Sequence, residues 1–122
     1  MTKENQNVTF YRGVDKTIRV TMTTNGDIST WKLQASVRIG ALSVGNELIK
    51  KQNTAMGGGN TQIEVTVPGS DTSPGTFLIK FVDTDTEALA PRDYIWDVKR
   101  MDDNAEDVLA VGKLTLKAGP TR

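Results

Sequence analysis

Residues 31–39 alternate without a break. Trp31, Leu33, Ala35, Val37 and Ile39 are apolar, and Lys32, Gln34, Ser36 and Arg38 between them are polar. Successive side chains of an extended chain point to opposite sides, so this run predicts a β-strand with one buried and one wet face. Wound into a helix, the same residues would scatter their apolar groups around the cylinder and bury no coherent stripe. Shorter alternating runs recur along the chain, and no long helical stripe competes with them. That restricts the fold to a β-sandwich or a barrel.

The remaining strands can be placed from the same pattern and its punctuation. Residues 8–11 form a first strand closed by Arg12-Gly13, and 17–23 a second with Ile18, Val20 and Met22 on one face. Asn25-Gly26-Asp27 marks a tight turn before the strand at 31–39, because Asn-Gly readily takes positive φ. After a loop at 40–45, residues 48–51 read as a weak edge strand whose lysines discourage pairing with other chains. A flexible connection at 52–60, containing Gly57-Gly58-Gly59, leads to a strand at 62–67 with Ile63, Val65 and Val67 inward. Residues 76–82 are the most apolar strand. Acidic residues after an N-cap candidate predict one short helix over 83–89, ended by Pro91. Strands at 94–100, with Tyr94, Trp96 and Val98 inward, and at 108–117 complete the set. About eight short strands with regular turn signals predict an immunoglobulin-like antiparallel β-sandwich, one domain over 1–122, with 1–7 as a polar and flexible N-terminal arm. The expected core comprises Val20, Leu33, Val37, Val65, Phe77, Ile79, Trp96 and Leu114, each on the apolar side of its strand.

Composition narrows the function classes. The 122 residues contain neither Cys nor His, and fifteen basic residues balance fifteen acidic ones. Absence of Cys removes disulfides and thiolate chemistry, and absence of His removes the commonest general base and metal ligand. A neutral chain does not carry the basic field expected of a nucleic-acid binder. The polar N-terminus reads as no secretory signal, and no apolar run reaches the length of a membrane span. Asn7-Val8-Thr9 matches a glycosylation sequon, read here as strand sequence.

No constellation of residues points to catalysis. Asp102, Asp103, Asn104, Glu106 and Asp107 offer oxygen ligands in six residues, but without the spacing of a calcium loop, so a solvated turn is expected. Gly57-Gly58-Gly59 lacks the preceding strand, following helix and Lys-Ser/Thr pair of a phosphate cradle. Trp31 and Trp96 fall on the apolar side of alternating strands and are expected in the core rather than on a sugar-binding surface. Carboxylates lie mostly in loops and outward positions, and a chain this short leaves little wall for a cleft. The expectation is a protein that is not an enzyme and needs no cofactor or metal.

Three segments carry a family resemblance. Residues 10–20, Phe10-Tyr11-Arg12-Gly13-Val14-Asp15 and the strand after them, resemble the "R-G-D-x, then a Thr-rich strand" opening of small phage tail and baseplate β-sandwich domains. The N-terminal domain of siphophage upper baseplate proteins is one example. Asp27-Ile28-Ser29-Thr30-Trp31 through Arg38 is similar to that group's "D-L-T-G" turn and following strand. Arg92 to Val98 with Leu109 to Leu116 is similar to its closing hairpin, "G-x-Y-x-x-D-V/L … L-x-x-G-x-x-x-V". Val14, Thr30 and Asp93 depart from the pattern, the last two replacing glycines.

The resemblance implies a non-enzymatic virion structural protein, assembled in the host cytoplasm. It would be a tail or baseplate, connector, fibre-attachment or decoration component. Its expected partners are other virion proteins and further copies of itself, with no nucleic acid and no membrane. A sheet edge at 48–51 and the arm place the expected interfaces in residues 1–12 and 40–60, with Phe10, Tyr11, Arg12, Leu48 and Lys50 as candidate contacts. The alternatives are a carbohydrate-binding or adhesion module, for which a cell-surface sugar would be the partner, and an immunoglobulin-like domain of a cellular assembly.

Overall fold

A computed structural model describes residues 6–39 and 47–118. Its strands are β1 (Val8–Tyr11), β2 (Lys16–Asn25), β3 (Leu33–Arg38), β4 (Ile49–Gln52), β5 (Ile63–Val67), β6 (Pro74–Phe81), β7 (Asp93–Arg100) and β8 (Asp107–Lys117). A 3-10 turn at Thr54–Met56 follows β4, and one turn of helix, α1 (Asp83–Thr86), follows β6. The loop at 40–45 and residues 1–5 of the expected arm lie outside the described residues.

The strands build two sheets. One has the order β1-β8-β7-β3-β4 and the other β2-β6-β5. Reading β2 to β8 as strands B, C, C′, D, E, F and G, this is the variable-type immunoglobulin arrangement without C″. A second mark of that fold lies at the start of β7, where the Tyr94 hydroxyl donates 2.7 Å back to the Ala90 carbonyl. Such a bond pins the corner where the chain crosses between the sheets.

The sandwich is not wholly antiparallel. β1 pairs parallel to β8, with Val8 opposite Leu114 and Tyr11 opposite Lys117, while the other pairs are antiparallel. The pairing reaches into the expected arm. The Gln6 amide donates to the Val111 carbonyl at 3.1 Å, the Lys113 amide donates to Asn7 Oδ1 at 2.9 Å, and the buried Trp96 indole donates to the Gln6 carbonyl at 2.8 Å. Gly112 makes this approach possible: a Cβ there would sit inside contact distance of the Gln6 backbone. Gln6 and Asn7 are therefore docked, in place of the free arm expected for them.

The core follows the alternation in most places. Val20, Leu33, Val37, Phe77, Ile79, Trp96 and Leu114 are buried as expected, and Val65 is half-buried at the sheet edge. The parity of β4 is the instructive departure. Lys51 stands opposite Ala35 and so points between the sheets, not outward. It is buried, with Nζ 2.7 Å from Asp85 of α1 and 6.0 Å from the Phe81 ring centroid. Ile28, in the β2–β3 turn, plugs the opposite end and is buried against Gly75. The short helix predicted over 83–89 is one turn. Asp85 accepts from the Val82 amide at 2.8 Å, which satisfies a free donor at its start.

Candidate interaction surfaces

Several charged side chains pair with one another within the fold. On the outer face of the five-stranded sheet, Arg38 bridges Asp97 at 3.3 Å and Glu47 at 3.2 Å, and both Arg38 and Ser36 are buried there. Lys80 meets Glu64 at 2.7 Å across β6 and β5. At the turn end, Arg100 donates to Asp102 at 2.8 Å and lies 4.1 Å above the Trp31 ring. The same carboxylate accepts from the Lys32 amide at 3.1 Å.

These bonds set the ionisation of the carboxyls. Asp102 is held below the ordinary carboxylate value, first by the hydrogen bond from Arg100 and then by the Lys32 amide. Glu47 is lowered by a bond from its own amide and, more weakly, by Arg38. Asp27 is lowered by the Ser29 amide, 2.8 Å away. Asp102, one of the five candidate oxygen ligands at 102–107, is thus committed to a structural clamp. The chain behind it is bent by Asn104, whose φ of 63° is left-handed, a conformation Asn tolerates better than most residues.

The two tryptophans do not form an exposed platform. Trp96 is 1% exposed and sits in the core. Trp31 is half-buried rather than fully enclosed, and the Arg100 guanidinium covers one face of its ring. Stacking a pyranose on Trp96, or on the Trp31 face that Arg100 covers, would require displacing packed groups.

The five candidate contact residues separate into different environments. Phe10 is 7% exposed and packs 6.1 Å from Phe81 between centroids, so it belongs to the core and not to an outer surface. Its even position on β1 points inward, as the register with Leu116 requires. Tyr11 is 45% exposed at the end of β1. Arg12 is half-buried and folds over the helix region, donating to the Leu89 carbonyl at 3.4 Å. The turn after it is locked to α1, since the Gly13 amide donates 2.9 Å to the buried Thr86 hydroxyl. Gly13 takes a φ of 79°, which a residue with a Cβ would adopt only under strain. Leu48 and Lys50 are exposed on the outer face along β4.

Tyr11 and the Leu48–Lys50 pair therefore occupy the two opposite edges of one sheet, β1 and β4. The second sheet ends in β2 and β5. That β2 is an edge is not legible in the residues alone, because alternation identifies a strand without saying whether a neighbour covers it. No protein-family model matches the chain, and no curated protein is recognisably similar to it. Among the described residues, no group of three or more acidic side chains is placed to hold a metal ion, and no helix is long and apolar enough to cross a membrane.

Proposed function

We propose that this chain is a non-enzymatic structural component of a bacteriophage virion, acting through protein–protein interfaces. A tail or baseplate, connector, fibre-attachment or decoration subunit would fit. The sequence resemblance at 10–20, 27–38, 92–98 and 109–116 supports the phage origin. The observation that carries the interface reading is the placement of exposed Tyr11 on one edge of the five-stranded sheet and exposed Leu48 and Lys50 on the other. A contact between unlike edges, repeated from subunit to subunit, closes a ring when the rotation closes and otherwise builds a filament. Arg38, Lys51 and Arg100, each tied up in a structural pair, favour contact over chemistry.

Light scattering across a range of concentrations tests this reading, with the wild-type chain compared with a Tyr11→Ser, Leu48→Ser variant. Concentration-dependent association that the variant loses while keeping its β-rich spectrum supports it. A specific interface of this kind should bury more than about 1,000 Å². A chain that stays monomeric and does not bind isolated phage tails or capsids contradicts it.

A further inference from the structure

The four strand edges are not equally open. β1 and β4 are four residues each, and β4 carries Lys50 and Lys51. β5 has five residues, loses its register between Val65 and Val67, and runs into Pro68, which has no amide hydrogen to offer a neighbour. β2 is different. It spans ten residues, and Lys16–Thr21 keeps regular register with β6 before the irregularity that follows Thr21. Among the described residues β2 pairs only with β6, so its outer row of backbone donors and acceptors has no strand beside it.

A groove of about 310 Å³ opens beside this edge, in the seam between β1 and β2. Val8, Ile18, Val20 and Trp96 supply its apolar wall, and Lys16 and Arg19 supply its charge. Among the described residues no acidic side chain lines it, and neither cation is in an ion pair. Lys16 is half-buried at the mouth and Arg19 exposed beside it. An edge regular over Lys16–Thr21, an apolar wall and two cations without an ion-pair partner among the described residues together define what fits: an extended segment alternating apolar with acidic residues. Its backbone would extend the three-stranded sheet, and its alternate side chains would enter the groove or meet the cations.

We infer that the β2 edge, with Lys16 and Arg19, is a strand-addition site for an extended acidic segment of a different protein. A second copy is the poorer occupant. All strands described here already lie in a sheet, and the acidic residues at 102–107 are bent into a turn by left-handed Asn104. The inference rests on the proposed role in protein–protein contact but not on the contact between β1 and β4 edges.

The test is NMR titration of the isotope-labelled full chain with three octapeptides. One alternates valine with glutamate, one alternates valine with lysine, and one is the glutamate peptide with a central valine replaced by proline. The glutamate peptide should shift and slow the exchange of amides in Lys16–Thr21. It should bind at least about tenfold more tightly than the lysine peptide, and the proline peptide should not bind. Lys16→Glu with Arg19→Glu should reverse the charge preference. Binding localised to β1 or β4, equal affinity for both charges, or no binding at millimolar peptide overturns the inference. Light scattering of the Lys16→Glu, Arg19→Glu variant separates the two readings. If the wild-type chain self-associates while the glutamate peptide fails to bind it, the strand-addition site is wrong and the virion role stands; self-association that persists in the variant shows that the two surfaces are separate.

Discussion

The two flanks of the sandwich are finished in opposite ways. On one flank β4 is short, its outward Lys50 is charged, and its inward Lys51 reaches across to Asp85, tying the edge to the α1 turn of the other layer. On the other flank the long strand β2 faces β1 across an open groove, with its cations unpaired among the described residues. A cross-brace stabilises the monomer and discourages addition of another strand, whereas an open regular edge leaves backbone groups to water or to a partner. Folding does not require β2 to be covered. Its exposure is therefore the feature of this sandwich that most suggests an unfilled contact.

Breaking the brace should have the largest effect. Asp85→Ala leaves Lys51 buried without its counter-ion and removes the acceptor for the Val82 amide, and should cost about 2–4 kcal/mol in urea unfolding. Adding Lys51→Met should recover most of the loss, because an apolar pair no longer buries an uncompensated charge. A cost below about half a kcal/mol would show that the brace contributes little and that the contrast between flanks is not energetic.

The seam flank is next. Gly112→Ala pushes a Cβ into the Gln6 backbone and should cost about 1–3 kcal/mol by overpacking. It should also deprive the Trp96 indole of its acceptor, which is read as faster exchange of the indole N–H. Unchanged indole exchange would mean that Gln6 is not held in place by the close approach at Gly112.

What the residues alone revealed, and what they concealed, follows from the physics of alternation. A period of two marks Leu33, Val37, Phe77 and Trp96 as inward because a buried and a wet face differ sharply in polarity. Lys51 defeats that logic: a long cation can occupy an inward position when an acid elsewhere in the fold, here Asp85, meets it. Phe10 reads as an interface candidate and yet is buried, because a four-residue strand offers too few positions to establish its inward face. The parallel pairing of β1 with β8 is likewise illegible, since periodicity does not name a partner. Ile28 was hidden in a turn, where burial comes from the loops that close over it, not from strand parity. Of the candidate contacts, only Tyr11, Leu48 and Lys50 remain exposed along the sheet edges, and the β2 edge emerged only once its neighbours were known.

Charge reversal on the open flank should barely affect stability. Arg19→Glu touches no ion pair described here and should change unfolding by no more than about 0.5 kcal/mol. A much larger loss would mean that Arg19 has a structural role like that of Lys51, and the contrast between flanks would disappear.

Acid should produce the most gradual change. Asp27, Glu47 and Asp102 ionise below their ordinary values of 3.8, 4.5 and 3.8. A carboxyl lowered in the folded state contributes stability that is present above its unfolded value and lost as pH falls through the folded one. Melting temperature should therefore hold down to about pH 4.5 and decline below it, and Asp102→Asn should flatten that decline. A melting temperature that rises below about pH 4 would contradict this sign.

Amide hydrogen exchange across β2 and β6 in the free full-length chain most directly tests the claim that this domain keeps an edge ready for a partner. Alternate amides of Lys16–Thr21, those facing away from β6, should exchange quickly, while the amides of Thr76–Phe81 between β2 and β5 remain protected throughout. Uniform slow exchange along Lys16–Thr21, equal to that of β6, would show that the edge is already covered and would contradict the account.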